Sequence, residues 1–262
     1  MNLVIDAGNS RVKWGWHDGN DWASVATVSL IEFAAANHDI NPFAATHEDP
    51  ERIVISNVAG EGAHQLIVNW TSIFEAVPLW LRGEPARCGV RSRYDDPGQL
   101  GPDRWAALVA ARALHDGDCV VVNAGTATTV DLLSAEGDFL GGVILPGVDL
   151  MRFVLHEHTG KLPIQEGRFR VTPTSTLDAI ETGCRHAQAG AVERMVRSAA
   201  PGALCLVSGG AGPALIEQLD IPTRYVENLV LEGLARVAAS EPRRLPAGDH
   251  APSGAPASAS KG

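Results

Sequence analysis

The sequence predicts an α/β protein built from two similar halves, and three observations carry that prediction. Short apolar runs ending in small, turn-forming residues alternate with stretches whose apolar residues recur at helical spacing. The alternation restarts near residue 118, where features of the first half return in the same order. The 262 residues, 45% hydrophobic and 20% charged, suffice for one large or two modest buried cores.

Leu3-Val4-Ile5 forms a strand that stops at the turn Asp6-Ala7-Gly8-Asn9-Ser10. Val12, Trp14 and Trp16 then alternate with Arg11, Lys13 and Gly15, as in a half-buried strand returning beside the first, which makes a hairpin with a Gly-Asn tip. Ile53-Val54-Ile55 leads into Ser56-Asn57-Val58-Ala59-Gly60 and a helix containing Leu66, Ile67, Trp70 and Ile73. Residues 94–101 read as a polar loop. Pro102 opens a helix whose apolar face includes Trp105, Leu108, Val109 and Ala113, which puts Asp103 in the first turn, facing that loop.

After residue 118 the strand Cys119-Val120-Val121-Val122 runs into Asn123-Ala124-Gly125-Thr126-Ala127-Thr128-Thr129. Ile5 to Ser10 matches Val122 to Ala127 in form, and Ile55 to Gly60 matches Val207 to Gly212. Two matches this short fit duplication and also fit common strand-turn chemistry. The expected organisation is residues 1–117, residues 118–240, and a disordered tail, 241–262, of Pro, Ala, Gly, Ser and charge in which Leu245 is the one large apolar residue.

The net charge of −10 argues against a broad electrostatic hold on nucleic acid, so any phosphate should be bound locally, by loop amides and a metal. The four cysteines are widely spaced without a Cys-x-x-Cys pair, which fits a reducing cytoplasm. Asp6 interrupts what would be the core of a signal peptide, and no segment reaches the roughly 18 apolar residues of a membrane span. A soluble cytoplasmic protein is expected.

A carboxylate at a strand end followed by Gly and small polar side chains suits a phosphate and its Mg²⁺, and Lys13 is a further charge within reach. One such turn is equally well read as a tight hairpin capped by its Asp. A second at Gly125 to Thr129, and a third at Ser208-Gly209-Gly210, favour a nucleotide site between facing hairpins. An acid at a helix start such as Asp103 is favoured by the helix dipole alone. With Arg104 beside it and Tyr94, Asp95 and Asp96 in the preceding loop, it also suits the acceptor site of a kinase. His156 and His158, two apart, face different sides of a helix and are read as surface residues. The sequence has no P-loop, no Gly-x-Gly-x-x-Gly after the first strand and no Gly-x-Ser-x-Gly elbow.

Taken in order, these segments resemble the type III pantothenate kinases of the acetate and sugar kinase, Hsp70 and actin superfamily. The resemblance runs from Asp6 to about Leu234. Its landmarks are Asp6 to Lys13, Gly101-Pro102-Asp103-Arg104, Asn123 to Thr129, Gly141 to Gly147, Thr176, and Leu229 to Leu234. It implies two ribonuclease-H-like (actin-like ATPase) domains around a nucleotide cleft, a homodimer, and phosphorylation of pantothenate with ATP at the first step of coenzyme A synthesis. It further implies that Asp6 orients Mg²⁺, that the stretch Asp6, Ala7, Gly8, Asn9, Ser10, Arg11, Val12 and Lys13 contacts ATP together with Thr126, and that Asp103 is the base. Tyr94, Gly101, Pro102, Asp103 and Arg104 would hold pantothenate, Arg104 pairing its carboxylate, and Thr176 would contribute from around the dimer interface.

Asn123 stands where the family usually has an Asp that helps bind a monovalent cation, so weakened K⁺ or NH₄⁺ binding is expected. Ser10 replaces a more frequent Thr and keeps the hydroxyl; Pro102 replaces a usual Ala. The alternatives left open are an accessory regulatory protein of the same fold and a kinase or phosphatase for another small acceptor.

Overall fold

The computed structural model describes residues 1–35, 43, 49–160 and 162–241. The first half begins with β1 (Asn2–Ala7), β2 (Arg11–His17) and β3 (Trp22–Ser29), followed by α1 (Leu30–Ala35), β4 (Arg52–Asn57), α2 (Glu61–Thr71) and β5 (Leu79–Trp80). The strands form one sheet in the order β3-β2-β1-β4-β5, with β1 antiparallel to β2 and parallel to β4. Leu3, Ile5, Val12, Ile53 and Ile55 are fully buried with Trp16, Phe33 and Ile67 in one core. The predicted hairpin is therefore present. Helix α2 ends at Thr71, so Ile73, expected within it, lies past its end and is exposed.

The chain continues through β6 (Ala86–Arg87), β7 (Val90–Ser92) and α3 (Pro102–Leu114) to the hairpin of β8 (Cys119–Ala124) and β9 (Ala127–Leu133). It then runs through β10 (Asp138–Pro146), α4 (Val148–His158), α5 (Thr176–Ala199), β11 (Leu204–Ser208), α6 (Gly212–Ile216), β12 (Thr223–Tyr225) and α7 (Leu229–Ser240). Helix α3 starts at Pro102 as predicted and buries Trp105, Leu108 and Val109; Ala113, expected on the same face, is exposed. The second sheet has the order β12-β11-β8-β9-β10-β7-β6.

Each sheet contains the same unit, a hairpin whose first strand also pairs in parallel with a strand from later in the chain. The registers correspond as well: Asp6 lies opposite Ser56, and Asn123 opposite Ser208. The halves nevertheless exchange elements. Strands β6 and β7, from the first half, extend the second sheet through β10, while α7, from the second half, packs on β1 and β4 of the first sheet and against α3. The two helices touch backbone to backbone, since a Cβ built on Gly233 would stand 1.8 Å from the Ala106 carbonyl oxygen. Glu241, expected at the head of the tail, is held by an ion pair with Arg87 and by Arg52 donating to its carbonyl; the rest of the expected tail, 242–262, lies outside the described residues.

Candidate active site

A cavity of about 880 Å³ lies between the two sheets. Asp6, Gly8, Asn9, Ser10, Arg11 and Lys13 line one wall, and Asn123 to Thr129 line the facing one. The two hairpin tips meet across it, with Ser10 Oγ 2.5 Å from Thr126 Oγ1. Both turns close alike: the Gly8 amide donates to the Arg11 carbonyl at 2.9 Å, and the Gly125 amide to the Ala127 carbonyl at 3.0 Å. Of the stretch from Asp6 to Lys13, Ala7 and Val12 are fully buried in the core instead, as alternation along a strand requires.

The Gly-rich turn after β11 packs under the second tip. Gly209 has φ +92°, and a Cβ on it would lie 2.2 Å from the Ala124 carbonyl oxygen, so this turn needs glycine for conformation and for space alike. Ser208, Gly209, Gly210 and Ala211 all line the cavity. Its far end is walled by Arg152 and Arg185, which both donate to the buried carboxylate of Glu181, at 2.9 and 2.6 Å.

Asp6 and Asp103 line the same cavity. Burial, then the charge of Asp103, pushes the Asp6 carboxyl up to about 7, and the Ser56 hydroxyl and Lys13 ammonium only partly offset that rise. One Asp6 oxygen, Oδ1, is buried without a hydrogen-bond partner. Burial also raises Asp103, against the Arg104 amide that donates to it at 2.8 Å and the Arg104 charge. An orphaned carboxylate oxygen beside a second acid fits a divalent cation. Among the described residues no group of three or more His, Cys, Asp or Glu could hold a metal, so a cation here would take its other ligands from phosphate and water, as Mg²⁺ does. Lys13 Nζ donates to Asn228 Oδ1 at 3.3 Å, which ties the first hairpin to the start of α7.

The remaining sequence-predicted residues lie elsewhere. Pro102 borders a smaller cavity of about 290 Å³ with His64, Trp80 and Arg82. Gly101 caps the start of α3. Thr176 is exposed at the first turn of α5 and does not line the cleft of its own chain. Arg104, expected to face an acceptor carboxylate, is only 5% exposed, and its guanidinium is engaged with Asp131: Nε lies 3.2 Å from both carboxylate oxygens and Nη2 2.5 Å from Oδ1. Its Nη1 donates to the Tyr94 hydroxyl at 3.2 Å. His156 and His158 are exposed on α4, as expected.

Asp131, Asn228 and Glu181 escaped the sequence reading. Only Asp131 left a signal, since it is the one charge on a strand whose other residues are apolar or threonine, where a buried charge is retained only with a partner.

A family model described as type III pantothenate kinase matches residues 2–198. A type III pantothenate kinase of Aromatoleum aromaticum is 52% identical over 240 residues, covering 91% of this chain and 98% of the relative. One from Nitrosospira multiformis is 46% identical, covering 90% of each. Among solved structures, a Campylobacter jejuni chain described as a Baf family transcriptional activator has a TM-score of 0.57 at 23% identity, covering 90% of this chain and 97% of its own. An activator of 2-hydroxyisocaproyl-CoA dehydratase from Clostridium difficile, solved with bound ADPNP, has a TM-score of 0.54 at 11% identity, covering 90% of this chain and 93% of its own. At these identities the structural likenesses show the fold alone, that of the actin-like ATPases and sugar kinases.

Proposed function

Because this chain belongs to the type III pantothenate kinase family, we infer that it transfers the terminal phosphoryl group of ATP to the primary alcohol of pantothenate, at the first step of coenzyme A synthesis. One observation carries this reading beyond the family match. The two hairpin tips close on each other through Ser10 and Thr126, with Asp6 and Asp103 in the cleft they enclose. The family match does not favour the regulatory protein or the kinase for another acceptor that the sequence had left open.

In this reading the amides and hydroxyls of the turn from Gly8 to Ser10, with Thr126 and the glycines after β11, cradle the phosphates, and Lys13 adds a positive charge. Asp6 would hold Mg²⁺, which when bound would neutralise phosphate charge. Asp103 accepts a hydrogen bond from the acceptor hydroxyl and orients its oxygen toward the terminal phosphorus. As the new P–O bond forms and the bond to ADP breaks, the hydroxyl proton passes to Asp103. A loose transition state leaves little need for early proton removal, so positioning and charge neutralisation supply most of the rate. The raised pKa of Asp103 suits a group that must take up a proton late.

Tyr94, Gly101, Pro102 and Arg104 belong, in the same proposal, to the pantothenate end of the site. Thr176 serves the cleft of a second copy in a homodimer. The exposed Val143 and Ile144 on β10 and Phe153 and Val154 on α4 support a partner on that side. A monovalent cation, K⁺ or NH₄⁺, would lie by Asn123, whose neutral amide binds it more weakly than a carboxylate. A cytoplasmic location fits four cysteines that are all free, and no helix among the described residues is long and apolar enough to cross a membrane.

The test is ADP release from ATP and Mg²⁺ with and without pantothenate, in Na⁺, K⁺ and NH₄⁺ buffers. Turnover that requires pantothenate and falls by about a hundredfold or more in Asp103→Asn is the expected result. Equal ADP release with and without pantothenate would overturn the reading.

A further inference from the structure

We propose that Asp131 is a positioning residue for acceptor recognition, acting through Arg104. The inference rests on the reading of Arg104 as a pantothenate contact and deepens it. Asp131 is 1% exposed on β9, one strand away from the loop and helix that carry Tyr94, Asp103 and Arg104. Its carboxylate takes Nε and Nη2 of Arg104 and leaves Nη1 paired with the Tyr94 hydroxyl at 3.2 Å. The guanidinium lies over the Tyr94 and Phe139 rings, its central carbon 5.8 Å from each centroid, and the two rings meet at a tilt of 51° with their centroids 5.0 Å apart.

The cradle is built for this pair. A Cβ on Gly142 of β10 would fall 2.1 Å from Asp131 Oδ1 and 3.0 Å from Arg104 Nη2, so the neighbouring strand leaves room for a carboxylate and a guanidinium together. Arg104 follows Asp103 directly in the first turn of α3, so fixing its side chain also fixes that turn. Unlike a free surface arginine, the fixed guanidinium has one nitrogen, Nη1, left outside the ion pair, beside a phenol and in a single orientation. Two adjacent donors of that kind recognise one end of a carboxylate by geometry, while Asp131 balances the buried charge whenever the acceptor is absent.

The experiment is a double-mutant cycle on the full chain, with Arg104→Gln, Asp131→Asn and the double variant. It reads KM for pantothenate, KM for ATP, kcat, and thermal unfolding by circular dichroism. Asp131→Asn should raise KM for pantothenate about tenfold or more while KM for ATP stays within about twofold, the loss of roughly one charge-assisted contact. The double variant, which removes both buried charges and should fold, is expected to match Arg104→Gln, because Asp131 has no function once its partner is gone. If Arg104→Gln leaves KM for pantothenate unchanged, the assignment of Arg104 as an acceptor contact fails, and the proposal with it. If Arg104→Gln raises it but the Asp131 variants do not, only the positioning role fails. Should Asp131→Asn not fold, Asp131→Glu keeps the charge and displaces it by one methylene; an unaltered KM for pantothenate there, or a double variant clearly worse than Arg104→Gln, overturns the proposal.

Discussion

Gly233→Ala tests whether the contact between α3 and α7 governs both stability and catalysis. An added Cβ would lie 1.8 Å from the Ala106 carbonyl oxygen and 2.4 Å from its carbon. An ordinary carbon–oxygen contact is about 3.3 Å, so the helices must separate by roughly 1.5 Å, with no flexible side chain to absorb the change. Overpacking of this kind costs about 2–3 kcal/mol, which for a domain of this size lowers Tm by roughly 4–12 °C. The separation also moves the first turn of α3, which holds Asp103 one turn before Ala106, or the start of α7, where Asn228 receives Lys13. Thermal unfolding of the variant would be compared with Gly190→Ala, at an exposed glycine of α5 with open space around it, which should stabilise by about 0.5–1 kcal/mol. Turnover with pantothenate would be read on the same samples. A Gly233→Ala protein with parental Tm and turnover would refute the argument.

Replacing Asp103 by Asn should lower kcat by about 10²–10⁴ with ATP binding retained, measured by ADP release and calorimetric titration. In the parent, turnover should fall with decreasing pH as Asp103 becomes protonated, and its raised pKa puts that acid limb above the usual carboxylate range of about 4, as a pH–rate profile would show. Gly209→Ala combines a positive φ with a 2.2 Å clash against Ala124, so its ATP affinity should drop well before its fold is lost, which nucleotide titration beside circular dichroism would separate. Asn123→Asp should make turnover more steeply dependent on K⁺; a K⁺ response identical to the parent would count against a cation at that position. A chain ending at Glu241 should keep its turnover and its Tm, because it retains the ion pair with Arg87.

Much of the fold can be read from residues close together in the chain. Alternating Val12, Trp14 and Trp16 announce β2, and Pro102 with Asp103 announces the start of α3, because those signals act within one strand or one helical turn. The exchange of β6 and β7 into the second sheet leaves no such trace, since strands of two and three residues gain their identity from β10, nearly fifty residues later. The site divides in the same way. Asp6, the facing turn at Thr126 and the glycines after β11 are local turn chemistry, and the structure brings them to one cavity. The partner of Arg104 could not be read, because Asp131 lies 27 positions away on a strand whose pairing alone brings the two together. Arg104 therefore reads as a free cation in the sequence and as half of a buried pair in the fold.

The position of α7 has a consequence for how this protein is made. Strands β1 and β4 emerge from the ribosome within the first 57 residues, yet the helix that covers them ends at Ser240. Until that helix is synthesised, one side of the first sheet keeps its apolar residues, Val4 and Val54 among them, without their final cover. The amino-terminal half of the nascent chain thus waits without that cover for most of translation, a state prone to aggregation. Truncations that remove α7 should aggregate rather than leave a smaller working domain.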